Sequence, residues 1–425
     1  MNRIPPDAVS EVHSGAQIER EHLLRVLALA TFVIFFQAFM VAPIIPQLGL
    51  ALGAPVGVVG LIVPAYLIPY GIATLAYGLL ADRFGIRPIM FASLSAFVVL
   101  TALSASAHSV AALATWRVLT GLGASGVVPL ALVLVGGMFP YEQRGRPLGW
   151  LFGAMAGGMA FGSTFGAVLE PSVGWQGLFL LVAIAGAGIL LLLVPYRSFI
   201  GSRPRQTPAT VGNLFQGYRD LLGTSRGRRT YGYVLLNSIF QPGVFTWLGV
   251  YFERRYHLRP IGIGLALLGY GVPGFLFGPV IGRLADRLGR GRLLPIGLAL
   301  GALAAAALIF DLPLLVAAIA VTILSLGYDM TQPLFAGIVT SLGGKRPGQA
   351  MGLNVFFLFT GWLWPWQPRL RRGAPPRFWA CAWGFCRCRG GGSPGVHHAL
   401  PIRDSARGDQ KRQSETAIHA MRRGG

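Results

Sequence analysis

An aspartate–arginine pair bracketed by glycines occurs twice in this chain. The copies are Gly78-Leu79-Leu80-Ala81-Asp82-Arg83-Phe84-Gly85 and Gly282-Arg283-Leu284-Ala285-Asp286-Arg287-Leu288-Gly289, 204 residues apart and identical at six of eight positions. Arg87 follows the first copy, and Arg290 and Arg292 follow the second. A carboxylate in such a setting can join a charge cluster with the N-terminal end of a neighbouring helix, a contact that holds in one arrangement and releases in another. Two more charged residues, Arg117 and Asp329, stand inside long apolar runs. Charges there are costly and are functional candidates by default. A carboxylate withdrawn from water favours its protonated form, which suits a proton carrier. Asp329 also lies four residues before Pro333, which lacks an N–H and loosens the helix around it. Plainer roles compete: Arg117 binding backbone carbonyls, or Asp329 capping the broken helix or pairing with Arg117.

The elements that must position these groups are transmembrane helices. Of the 425 residues, 53% are hydrophobic and 12% charged, against roughly a quarter charged in soluble domains. A helix needs about 20 apolar residues to cross the hydrocarbon. The charge-free gaps place spans at about 24–46, 56–80, 88–107, 110–139, 148–169 and 177–194, then 231–252, 261–284, 293–310, 312–342 and from 350 onward. The loops after the even-numbered spans carry 17 Lys and Arg, and the opposite loops carry three. That bias puts the even loops and the N-terminus in the cytoplasm. It also accounts for much of the net charge of +21 without nucleic acid. The expected organisation is a cytoplasmic tail over 1–22, a six-helix half over 23–196, a basic cytoplasmic linker over 197–229, an incomplete second half over 230–361, and a basic tail over 362–425.

Two halves of parallel topology, each with the same charged turn after its second helix, match the plan of a large group of secondary transporters. The repeated turn resembles the signature Gly-x-x-x-Asp-Arg-x-Gly-Arg-Arg of the major facilitator superfamily, met here by Gly78, Asp82, Arg83, Gly85 and Arg87. The second copy supplies Gly282, Asp286, Arg287 and Gly289. Arg117, Gly121 and Gly123 fit the family's Arg-x-x-x-Gly-x-Gly pattern in span four. The resemblance implies an all-α polytopic membrane protein with the major facilitator fold, two six-helix halves of which the second is truncated, with eleven spans present and the twelfth missing. Within the family it looks most like the drug:proton antiporter type. That type's span-five signature is met in part by Gly158, Gly162 and Gly166, whereas Ser163 and Ala167 depart from it. The resemblance further implies that Arg117 takes part in proton coupling.

Glycines four apart let helix backbones approach closely, forming seams that can rock. Weaker candidates for a substrate path are Gln37, Tyr66, Tyr70, Asn237, Gln241 and Asn354, polar side chains inside spans. Asn237 and Gln241 are four apart and share a helix face. The seven histidines show no ligand spacing, so no metal is expected, and no Gly-x-x-x-x-Gly-Lys-Ser/Thr loop is present, so neither ATP nor another cofactor is expected.

The reading frame is expected to change near Trp362. Tryptophan has one codon, TGG, so starting one base later turns Trp362, Trp364 and Trp366 into glycine. Offset by 204, positions 362 and 366 fall on Gly158 and Gly162, which restores the repeat between spans eleven and five. The chain as written is then expected to accumulate poorly and to transport nothing, and a one-base correction to restore a twelve-span carrier. The expected activity is secondary active transport of a small molecule, proton-coupled export by a monomer in a bacterial cytoplasmic membrane, in contact with lipid. A sugar or organic-acid uptake permease and a nontransporting sensor are the alternatives. An enzyme is disfavoured for want of clustered catalytic groups.

Overall fold

The computed structural model describes residues 6–200, 211–258, 260–267, 269–344 and 346–360. The frame reading from Trp362, the tail 362–425 and any twelfth span lie outside the described residues. The described chain is almost wholly helical. Seven helical stretches in it are long and apolar enough to cross a membrane, among them Gln17–Ala51, Val110–Met138 and Gly145–Arg197. The 53-residue Gly145–Arg197 stretch holds spans five and six, which meet where Gly174 adopts φ 70° beyond Pro171. Leu191, Ile184, Leu303 and Leu315 are exposed on the outside of the bundle. Apolar surface of this kind belongs against lipid tails, and the chain is a multi-pass membrane protein.

The helix that carries span one begins at Pro6, so residues 6–22, expected as a cytoplasmic tail, are helical up to the apolar stretch. No proline or lone structure-breaking turn separates the polar stretch from the apolar one. Glu21, at the junction, is held by Arg146 through two hydrogen bonds of 2.8 and 2.9 Å. Span two is the helix Pro64–Phe84 and span three Ile86–Ser104. Span four is two consecutive helices, Val110–Ala124 and Val127–Met138. A linker helix, Val211–Gly223, precedes span seven, Ser225–Tyr256. Span eight is interrupted: Pro260–Ala266 is followed, after Gly271 at φ 86°, by Val272–Leu288. Spans nine, ten and eleven are Arg290–Ala307, Leu314–Leu342 and Pro347–Thr360.

The two copies of the motif share a backbone form. Gly85 and Gly289 end their helices at φ 90° and 86°, a region open to glycine at little cost. Each thereby reverses the chain straight into the next helix, at Ile86 and at Arg290. The aspartate three residues earlier is left at the end of the span, facing the opposite half.

Candidate functional site

Asp82, at the end of span two, accepts hydrogen bonds from the backbone N–H groups of Gly348 and Gln349, both 2.9 Å. These belong to the first turn of span eleven. Asp286, at the end of span eight, accepts from the N–H groups of Gly145 and Arg146, at 2.8 and 3.1 Å. These open span five. Each motif aspartate thus caps a helix of the other half, and the two caps are related by the same twofold repeat as the sequence. The first N–H groups of a helix have no partner within it, and its N-terminus carries partial positive charge, so a carboxylate there is favoured by roughly 1 kcal/mol or more.

The helices joined by the caps approach at glycines. A Cβ on Gly78 would strike the Gly348 carbonyl, and one on Gly352 the Thr74 carbonyl. Across the second seam Gly145 meets Gly282, Gly149 meets Gly278, and Gly153 lies against Gly274. Both seams occupy the motif end of their helices, reaching Gly71 against Phe359 in one and Gly157 against Phe275 in the other. Gly158, Gly162 and Gly166 serve a different contact, with the Phe32, Phe36 and Met40 carbonyls or backbone of span one in the same half. Gly121 similarly admits the Tyr66 carbonyl, and Gly123 packs on Ala96 and Leu100. The inter-half run Gly145, Gly149, Gly153, Gly157 was readable as four glycines at spacing four but was not singled out.

The seam of spans five and eight carries further ties. Arg290 lies with its guanidinium 4.1 Å from the centroid of the Tyr141 ring, donates to the Tyr141 carbonyl at 2.7 Å and reaches Asp286 at 3.4 Å. Arg144 donates to Thr340 of span ten at 3.1 Å and to the carbonyls of Phe139 and Gly136. Burial, then the charge of Arg290 nearby, draws the Arg144 pKa downward. The seam of spans two and eleven is strapped by the linker helix instead. Tyr218 donates to the Leu75 carbonyl at 2.6 Å, and Asp220 pairs with Arg346 at 3.4 Å. Burial and then the Asp82 carboxylate push the Tyr218 phenol upward, so it stays a donor. Among the remaining motif residues, Arg83 lies over the Phe84 ring, Arg87 donates to the Arg197 carbonyl and Arg287 occupies the last turn of span eight.

Arg117 is fully buried and spends its donors on spans one and two: Gln37 O at 3.2 Å, Gln37 Oε1 at 3.0 Å, Ala38 O at 3.1 Å and Ile62 O at 3.2 Å. Its guanidinium sits 4.4 Å from the Tyr66 ring centroid. Span one ends at Phe39, and Gly60–Ile62 is a 3-10 turn, so these carbonyls come from interrupted helices. Arg117 and Asp329 have separate partners. Asp329, partly exposed in span ten, accepts from Ser325 Oγ at 3.1 Å and lies against Gly274, and Ser325 Oγ accepts from the Gly271 N–H at 2.8 Å. Ser325, itself bonded to Asp329, therefore ties span ten to the break in span eight. The signal for this was the i, i+4 spacing of the pair beside a Gly-Val-Pro-Gly turn.

The polar candidates divide. Gln37 and Tyr66 contact Arg117, and Tyr70 stacks on Tyr66 at 5.9 Å between centroids with Phe359 of span eleven 4.9 Å from Tyr70. Asn237 donates to Thr331 at 2.7 Å and ties span seven to span ten. Asn354 is buried in span eleven. The Gln241 side chain lies outside the described residues. A cavity of about 650 Å³ opens at the motif face, walled in part by Arg20, Gly136, Arg144, Thr340, Ser341 and Met351. Among the described residues no cluster of three or more His, Cys, Asp or Glu could hold a metal.

A family model described as Major Facilitator Superfamily matches residues 27–364. The chain is 27% identical over 336 residues to the MFS-type transporter YceJ of Bacillus subtilis (strain 168), covering 78% of this chain and 84% of that protein. It is 25% identical over 271 residues to the chloramphenicol resistance protein of Streptomyces lividans, covering 62% and 67% respectively. Among solved structures, the proton:xylose symporter XylE superposes with a TM-score of 0.63 at 16% identity, covering 83% of this chain and 89% of that one.

Proposed function

Because this chain belongs to the major facilitator superfamily and is a secondary transporter of small molecules rather than an enzyme, we propose that it exports its substrate in exchange for protons by alternating access. The observation that carries the reading is the crossed pair of caps, Asp82 on span eleven and Asp286 on span five. Both close the motif face, which the basic loops assign to the cytoplasm. Opening that face requires both carboxylates to leave their helix N-termini, so the caps set the balance between two states. Asp329 is the proton carrier in this scheme. It is the carboxylate within span ten, it is partly exposed, and its partners hold the break in span eight that borders the inter-half seam at Gly274. The resistance protein among the relatives favours export. The reading includes a frame change near Trp362, supported by the codon arithmetic and by a family match that ends two residues beyond it.

Everted membrane vesicles loaded with a pH-sensitive dye test this reading, with the gene as written and with one base corrected at codon 362. Substrate addition is expected to release protons from the acidified lumen in the corrected form. In the same vesicles Asp82→Asn is expected to slow transport about tenfold with membrane insertion unchanged, because the carboxylate biases an equilibrium between folded states. Unaltered kinetics in Asp82→Asn would remove the gating claim, and proton movement with the substrate would replace antiport by symport.

A further inference from the structure

Three buried hydrogen-bonding atoms at Arg117 and in the Tyr66–Tyr70 stack beside it have no partner: Nε2 of Gln37 and the hydroxyls of Tyr66 and Tyr70. All three residues are at most 1% exposed. Unpartnered buried polar atoms cost roughly 1–3 kcal/mol each, so three in one cluster mark a place that something else completes. All three can donate. Gln37 Oε1 is committed to the Arg117 guanidinium, which can only donate, and this fixes the amide so that its NH₂ is the free end. The two phenols can each supply an O–H. The cluster therefore offers donors, from adjacent spans one and two.

Its electrostatics point the same way. Arg117 forms no ion pair among the described residues, and its bonds go to neutral carbonyls and an amide. A buried cation without a counter-charge is costly, and an anion brought within a few ångströms offsets that cost. Aromatic faces complete the setting. Phe35 and Phe359 lie 6.1 and 4.9 Å from Tyr70 between centroids, and Phe359 brings in the second half. Gly71 makes room for it, since a Cβ there would strike Phe359. The cluster spans both halves at the inner end of the seam that begins at Asp82, where a carrier holds its cargo.

We propose that Gln37, Tyr66 and Tyr70, backed by the fixed charge of Arg117, form the recognition site for a small organic anion, its charged group on the three donors and its apolar part against Phe35 and Phe359. The proposal deepens the transport reading by naming a substrate class, and it is independent of transport direction. It also predicts a role for Gln37 that a merely structural residue would lack. A glutamate at 37 would keep the acceptor for Arg117 and add the missing counter-charge, closing the site to anions.

All six residues precede Trp362 and are shared by both reading frames, so the one-base-corrected chain, purified in detergent beside the 425-residue chain, serves for the test. Equilibrium binding is measured by calorimetry with three probes of one shape: benzoate, benzamide and benzylammonium. Benzoate is expected to bind at least tenfold more tightly than either of the others. Tyr66→Phe with Tyr70→Phe, which keeps both rings, should weaken benzoate at least tenfold. Gln37→Glu should erase the preference for benzoate over benzamide while the protein elutes and melts like the parent. Equal binding of benzoate and benzamide by the parent, or an undiminished benzoate preference in Gln37→Glu, would overturn the proposal. Binding of benzoate without proton release in vesicles would leave the site standing and refute the antiport reading alone.

Discussion

Arg117→Leu is expected to abolish the folded protein, lowering monodisperse material after detergent extraction at least tenfold. Leucine fills much of the volume but leaves the carbonyls of Gln37, Ala38 and Ile62 and the Gln37 side-chain oxygen without donors. At roughly 1–3 kcal/mol for each buried group left unpaired, the loss approaches the whole stability of a domain. The carbonyls belong to interrupted ends of spans one and two, where no helical N–H can replace the guanidinium. Arg117→Lys should recover part of the yield, because an ammonium keeps the charge but cannot spread its donors over a planar fork. Size-exclusion profiles and thermal melting in detergent decide the matter. A well-folded Arg117→Leu protein with parental melting would confine Arg117 to binding or coupling.

Asp329→Asn is expected to abolish substrate accumulation driven by a pH gradient, a loss of at least tenfold, while exchange of internal for external substrate continues. The amide retains an oxygen for Ser325, which keeps its bond from the Gly271 N–H, so the tie to the break in span eight remains. What is lost is a group that can change charge. Coupling that survives in Asp329→Asn would assign the residue to holding the Gly271–Gly274 turn and would require another proton carrier.

The spans and the equivalent positions of the two motif aspartates were legible because both rest on strong local signals. Long charge-free runs have one physical outcome in a membrane, and the motif's repetition at equivalent turns gave Asp82 and Asp286 a common task before any partner was visible. The partners themselves were not legible. Gly348 and Gly145 contribute backbone N–H groups, and a backbone donor leaves no mark in the sequence beyond the start of a helix. Arg117 was located by its rarity in an apolar run, yet its partners are mostly carbonyls of spans one and two, equally silent. Tyr141, whose ring meets both Arg144 and Arg290, lies in a short loop where an aromatic residue carries no pattern. The helical state of residues 6–22 was not legible for a related reason: polarity marks where a helix leaves the membrane, and these residues remain helical beyond that point.

The central claim is that two crossed carboxylate caps hold the motif face shut. It is tested most directly by measuring the distance between spin labels at Phe84, at the exposed end of span two, and Ser341, at the exposed end of span ten, by pulsed electron paramagnetic resonance. The native cysteines are replaced first, and the parent is compared with the Asp82→Asn, Asp286→Asn double variant. The account predicts one short distance in the parent and a second, longer population in the double variant, because neither N-terminus then has its carboxylate. An unchanged single short distance in a folded double variant would contradict it.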